Sequence, residues 1–256
     1  MNDGEKQELL IKIYLTHLRD NRINTEHFGI ITTLGFNDEY KKIRDKNINF
    51  LKIENDPKMI IKIAEQLEIQ KSNPGDKADV KINKIAYSLK CIGFSNPAIV
   101  NHTNRYGWLK IAERKKFNIE ELDKIIDEYW VLREEKKIKE DCSNKNQYSP
   151  FKDKIKVLKP FLDYFLFEGS GKANSSNPAD KIFEFEKYNL SSSWKIYGTE
   201  YLEQHWNNLV FSIRSKGMPP DYDSHKNKKF IEPWTKNFKG EKGEKKFRGS
   251  LHVRVG

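Results

Sequence analysis

Cysteine is scarce: Cys91 and Cys142 are the only two in 256 residues. That excludes a disulfide framework or a cysteine zinc site and fits a reducing, cytoplasmic compartment. No apolar run approaches the roughly 20 residues of a membrane-spanning helix. The opening Met1-Asn2-Asp3-Gly4-Glu5 has neither a basic n-region nor an apolar h-region, so no secretory signal is expected. Internal repeats and coiled-coil heptads are missing too. So are the Gly-x-x-x-x-Gly-Lys-Ser/Thr spacing of a nucleotide-binding loop and any His/Asp partner arrangement for a Ser or Cys hydrolase.

What is abundant is charge. Lys and Arg number 47 against 37 Asp and Glu, a net of +10, which makes a polyanion the default partner. The competing explanation is a Lys-, Asn- and Ile-rich composition from AT-rich coding, which inflates Lys without function. From His225 to Gly256 there are ten Lys/Arg against three Glu. That tract would supply sequence-independent, salt-sensitive affinity, or form a solvated surface.

The length suits one compact α/β domain in two parts, 1–140 and 141–256. Amphipathic spacing predicts helices from Glu5 to Asn21, Asn37 to Lys46, Pro57 to Glu68, Trp108 to Lys116 and Asn118 to Glu140. Period-two alternation predicts a hairpin from Ala78 to Cys91, and strands are expected at Leu209 to Arg214 and Ser250 to Val255. Asp141 to Ser149 is the polar connector between the parts, and Gly169 to Asn177 a flexible or ligand-binding loop. The five tryptophans read as core or hairpin anchors.

The hairpin carries the chemistry. With Asn83-Lys84 as a two-residue turn, Ile82 pairs with Ile85, Val80 with Tyr87, and Asp79 faces Ser88. One face then holds Val80, Ile82, Ile85, Tyr87 and Leu89, and the other Asp79, Lys81, Ala86, Ser88 and Lys90. A one-residue slip would mix the two sets, so the pattern supports the register. Directly opposed side chains lie about 5 Å apart at Cβ and diagonal ones about 7–8 Å, so Asp79, Ser88 and Lys90 converge. A carboxylate beside a lysine there can share a metal ion, a water and a phosphate. Phosphodiester hydrolysis uses that set: Mg²⁺ takes one or two carboxylates, and lysine orients the water. A plain surface hairpin with a solvated polar face satisfies the same pattern equally well. Cys91 points to the opposite, buried face as a packed thiol.

The spacing of Asp79, then Ser88-Leu89-Lys90, resembles the core of PD-(D/E)xK nucleases, particularly type II restriction endonucleases. So does the lead-in Gly75-Asp76-Lys77-Ala78-Asp79. Similar restriction-enzyme character appears in Ser95-Asn96-Pro97-Ala98-Ile99-Val100-Asn101-His102-Thr103-Asn104-Arg105, in Phe167-Glu168-Gly169-Ser170-Gly171-Lys172, in Phe211-Ser212-Ile213-Arg214-Ser215-Lys216-Gly217-Met218-Pro219, and in Gly249-Ser250-Leu251-His252-Val253-Arg254-Val255. The resemblance runs from about Gly75 to the end and implies a mixed central sheet flanked by helices, with an irregular C-terminal recognition region. It implies Asp79, the Leu89 carbonyl, water and the scissile phosphate around Mg²⁺, with Lys90 positioning the water. Position 88 departs from the pattern, since Ser stands where the family has Glu or Asp. Ser88 would then hold a metal-bound water, and Glu8 on the first helix would supply the missing carboxylate. Alternatively the core has lost catalysis and only binds DNA.

For double-stranded DNA the resemblance and the residue types select Asn101, His102, Thr103 and Arg105 after the hairpin. They also select Ser170, Lys172 and Asn174 in the glycine loop, Arg214 and Lys216 after the strand, and Arg248 and Arg254 in the basic tract. A protective DNA methyltransferase is the implied cellular companion, and a homodimer is compatible with the size. Each DNA-contact candidate equally fits a solvated polar surface.

Overall fold

The computed structural model describes residues 3–35, 40–43, 48–73, 75–94, 96–239 and 245–256. In chain order the helices and strands are α1 (Asp3–Asp20), β1 (Asn24–Thr25), β2 (Gly29–Ile30), α2 (Phe50–Glu54), α3 (Pro57–Gln66), β3 (Val80–Ile82), β4 (Ile85–Cys91), β5 (Ala98–Asn104), α4 (Arg105–Lys115), α5 (Ile119–Glu134), β6 (Cys142–Ser143), α6 (Ile155–Asp163), β7 (Lys181–Phe185), β8 (Lys195–Tyr197), α7 (Tyr201–His205), β9 (Leu209–Arg214), α8 (Lys228–Ile231), β10 (Lys236–Lys239), β11 (Lys245–Arg248) and β12 (Ser250–Val255). The fold is mixed α/β with several sheets. No helix among the described residues is long and apolar enough to cross a membrane.

The chain forms two compact units, 1–97 with 175–199, and 98–174 with 200–256. The Asp141–Ser149 connector therefore lies inside the second unit, where Cys142–Ser143 pairs with β9.

The first unit is built on a mixed sheet in the order β3-β4-β7-β8. β3 and β4 are antiparallel in the expected register, Val80 with Tyr87 and Ile82 with Ile85. Asn83 (φ 50°) and Lys84 (φ 71°) are both left-handed, as a two-residue primed turn requires. β7 runs parallel to β4, and β8 antiparallel to β7. Helix α1 is enclosed well beyond one amphipathic stripe: Gln7, Lys12, Thr16 and Arg19 are buried along with its leucines and isoleucines. It shares one apolar cluster with α3 and with Val80, Ile82, Tyr87, Phe183 and Phe185, the sheet face opposite Ser88. Asp56 caps α3 through the Lys58 and Met59 amides, with Pro57 at the first position. The helix expected near residues 37–46 lies mostly outside the described residues, and 40–43 carry no helix.

The second unit holds the antiparallel sheet β5-β12-β9-β6. β9 and β12 occupy the spans the alternation predicts. The helix predicted from Trp108 begins three residues earlier, at Arg105, and closes on left-handed Lys116 (φ 61°). α5 starts at its Asn118 cap but stops at Glu134 rather than running to Glu140, because Lys136 turns to positive φ (59°) and Ile138 folds inward. Trp108, packed on Phe161, Phe165 and Trp234, centres this unit's core, so at least these tryptophans are anchors. The glycine loop is tied down: the Tyr164 hydroxyl bonds Asn174 Oδ1 (2.9 Å) and Ala173 O (3.2 Å). A Cβ on Gly171 would come within 2.6 Å of Thr103 Cγ2, so only glycine fits this close approach.

Candidate active site

Asp79 sits one residue ahead of β3, where the ladder opens. Its amide donates to Tyr87 O (2.8 Å), and its carboxylate reaches across to β4. There Oδ2 accepts the Leu89 amide at 2.7 Å. In an extended strand a residue's N–H and C=O point the same way, so the Leu89 carbonyl also faces Asp79.

Oδ1 of Asp79 lies 2.6 Å from Ser72 Oγ, and that hydroxyl lies 3.0 Å from Glu8 Oε1 on α1. The Ser72 amide (2.9 Å) and the ammonium of buried Lys12 (2.5 Å) also donate to Glu8 Oε1. Lys12 in turn donates to Gln70 O (2.9 Å), which fixes this carboxylate against the 70–72 segment. A hydroxyl has one proton, so it cannot donate to both carboxylates at once. Glu8 Oε1 already has the Lys12 ammonium and the Ser72 amide, which leaves the hydroxyl proton of Ser72 to Asp79. Burial pushes the Asp79 carboxyl upward, with Glu8 adding to the push, against Lys90 and the bonds from Ser72 and Leu89.

Two lysines face this carboxylate electrostatically. Burial lowers Lys90, and Asp79 opposes the fall. Lys77 is lowered to about 8, by burial first and then by Lys90, with Asp79 again opposing. Lys77 belongs to the lead-in segment, but its place beside Lys90 depends on its amide and that of Ala78 bonding Asn177 O. Tyr40 is pushed upward by burial and by both Glu8 and Asp79.

Ser88 and Ala86 are buried, so the polar face of the hairpin is no solvated surface. The parallel register adds a residue that the hairpin pattern alone does not reach. Lys90 pairs with Glu184, and Ser88 with Ile182. Glu184 is buried on the same face, where the Tyr197 hydroxyl lies 3.5 Å from its Oε1. The signal was a lone charge in Ile182-Phe183-Glu184-Phe185, but parallel partners are far apart in sequence and cannot be paired from it.

All the expected catalytic residues fall in the first unit and all the expected DNA contacts in the second. Asp79, Glu8, Leu89 and Lys90 come together; Ser88 shares β4 with Leu89 and Lys90, and a face with Lys90 alone. Asn101, Lys172 and Lys216 are exposed. Thr103 O accepts the Trp108 indole N–H, and Ser170 Oγ the Lys172 amide. Asn174 takes Arg114 as well as Tyr164. Arg105 forks onto Asp123 (2.8 and 2.6 Å) and donates to Phe230 O (3.1 Å). Arg214 and Arg254 both bond Asp141, and Arg248 pairs with Glu140. His102 stacks on His252. Cys91 packs partly against the apolar cluster, as expected, and burial raises its thiol.

The oxygen-rich Asp79–Glu8 pair suits a hard cation that keeps several waters. Among the described residues no group of three His, Cys, Asp or Glu gathers at metal-binding spacing. In comparisons with protein-family models, curated proteins and solved structures, nothing matches this chain.

Proposed function

We propose that the chain is a Mg²⁺-dependent, sequence-specific endonuclease of double-stranded DNA, of the PD-(D/E)xK type. The observation that carries this reading is the Asp79 carboxylate, bonded to the Leu89 amide one residue before Lys90 and joined to Glu8 through Ser72. An antiparallel hairpin continued by a parallel strand in one mixed sheet supports it. Asp79, Glu8 and the Leu89 carbonyl would hold Mg²⁺. Bound there, the ion polarises a phosphoryl oxygen and lowers the pKa of a water. Lys90 orients that water and faces the charge that develops on the phosphate. Glu8 replaces the acidic side chain that Ser88 lacks, and Lys77 adds a second positive neighbour. As a restriction enzyme the protein would work beside a methyltransferase that protects host DNA, with the exposed Asn101, Lys172 and Lys216 among its DNA contacts.

One observation favours a second reading, a DNA-binding module on a core that no longer cuts: Ser88 is buried and brings no carboxylate. Incubation with unmethylated phage DNA and Mg²⁺ separates the two. Discrete fragments that vanish with EDTA and with Asp79→Ala are expected. Retarded but uncut DNA in every lane would leave only the binding module.

A further inference from the structure

The second unit's sheet has two unlike faces. In the β9–β12 register, Leu209, Phe211, Ile213, Leu251, Val253 and Val255 share the buried face. Ser212, Arg214, Ser250, His252 and Arg254 share the other. Beside them, an irregularity in the β12–β5 pairing brings His102 onto His252, with ring centroids 4.4 Å apart and planes 14° from parallel. His102 achieves this at φ 47°, a strained value for a residue with a side chain. Its carbonyl presses on Gly217 (φ 89°), where a Cβ would sit 2.1 Å from that oxygen.

This face holds polar groups with unused capacity. His102 Nδ1 and Ser250 Oγ are buried without a hydrogen-bond partner. Native structures leave few such atoms, and each calls for an explanation. Burial lowers His102 to about 4, with His252, Lys216 and Arg214 adding to the fall. His252 is also lowered, first by burial and further by Arg214 and Arg254; Asp141 and the Val100 carbonyl, 2.9 Å from Nδ1, oppose this. Both rings are therefore neutral near pH 7.

The two arginines grip one carboxylate. Arg214 Nη2 is 2.5 Å from Asp141 Oδ1, and Arg254 Nη2 is 2.9 Å from Oδ2. Arg214 Nε also meets Ser212 Oγ (3.1 Å) and Glu140 Oε1 (3.4 Å). Two guanidinium groups, one on each oxygen of a single anion, is the arrangement that two non-bridging phosphate oxygens take. The groups lie part-exposed, so an exchange of anions needs no unfolding: the Arg214 side chain is 35% accessible and that of Asp141 40%.

We propose that this face is an oxyanion site for a phosphodiester backbone, and that Asp141 is its built-in competitor, occupying Arg214 and Arg254 until a phosphate displaces it. The proposal deepens the reading of the chain as a DNA-binding protein. It gives Arg214 and Arg254 a resting partner and adds Asp141 and His252 to the interface. The internal anion lowers affinity for any phosphate and leaves a larger share of discrimination to base contacts.

The test is binding of a labelled 12-base-pair duplex in EDTA, so that cleavage plays no part. Asp141→Asn is expected to bind about 5- to 10-fold more tightly at low salt, with a steeper salt dependence, and Arg254→Gln to bind correspondingly less. This readout is independent of cleavage. Failure to cleave DNA would thus sink the nuclease and leave this site standing. Asp141→Asn binding at or below the unmodified chain, with its melting temperature unchanged, would overturn the proposal. A second measurement needs no variant: millimolar inorganic phosphate should shift the His252 ring resonances and raise the pH at which they titrate. A His252 signal indifferent to phosphate would also overturn it.

Discussion

Asp79 Oδ2 accepts the backbone amide of Leu89 at 2.7 Å, so the carboxylate is locked to the strand that presents Lys90. A side chain held by a backbone donor does not need to reorganise when a charge arrives. That preorganisation carries a stability cost, because the same carboxyl is buried and pushed upward.

Asp79→Asn separates the two effects. For a carboxyl whose folded pKa is raised, stability is fully present below the unfolded value near 4 and is lost as pH rises through the folded value. At neutral pH the neutral amide therefore removes a penalty while still accepting the Leu89 amide. We expect stability to rise by about 1 kcal/mol, or roughly 2–4 °C in Tm, in thermal unfolding at pH 7.5. Metal-dependent cleavage should fall by about 10³-fold. A variant that melts lower than the unmodified chain at that pH would contradict this account of Asp79.

Lys77 has the opposite sign. Its folded pKa of about 8 lies below the unfolded lysine value near 10.4, so the unfolded chain binds more protons between them. Its contribution therefore favours the fold more as pH rises across that window. Lys77→Met should remove this upward contribution, so that stability of the variant relative to the unmodified chain declines from about pH 8 to pH 10. Urea midpoints measured at intervals across that range decide it; a constant difference between the two proteins would refute the placement of Lys77.

The hairpin turn has its own test. Asn83 Oδ1 accepts Thr32 N (2.8 Å) and Thr32 Oγ (3.0 Å), while Nδ2 donates to Phe28 O (3.2 Å). Asn83→Ala loses these bonds and an αL-tolerant residue together, and should cost about 2–3 kcal/mol in denaturant unfolding. Asn83→Gly keeps the backbone geometry and should cost less. Equal losses would show that the hydrogen bonds, not φ, hold the turn. Lys84→Gly should be neutral or stabilising by up to about 1 kcal/mol.

Arg105 is bound as a structural residue would be. Asp123 receives both its fork and the Trp234 indole N–H (2.6 Å), so Arg105→Ala strands a part-buried carboxylate. A loss of about 2–3 kcal/mol in stability is expected, with Arg105→Lys recovering only part because lysine lacks the fork. The discriminating readout is duplex affinity of the folded fraction. If it is unchanged, Arg105 supports the unit; if it falls while stability holds, Arg105 contacts DNA.

How much of this was legible follows from the range of each interaction. The 80–91 hairpin and its register were readable because strand alternation and a two-residue turn are local. The caps at Asp56 and Asn118 act within three residues, and the starts of α3 and α5 fall there. The end of α5 was not readable, since Lys136 leaves the helix so that Ile138 can be buried, a gain invisible to periodicity. The burial of Ser88 and Ala86 also escaped the pattern, because alternation separates two faces without saying whether the polar one meets water.

The sequence by itself determined the charge balance, the strands β9 and β12, and the pairing of Val80 with Tyr87 and Ile82 with Ile85 across one turn. Only tertiary structure decided that Glu8 reaches Asp79 through Ser72, that Glu184 stands beside Lys90, and that Arg214 and Arg254 close on Asp141. The physical reason is the same in each case. Backbone geometry fixes neighbours a few residues apart, whereas a carboxylate's partner sixty or a hundred residues away is chosen by which segments must pack together to bury their apolar faces.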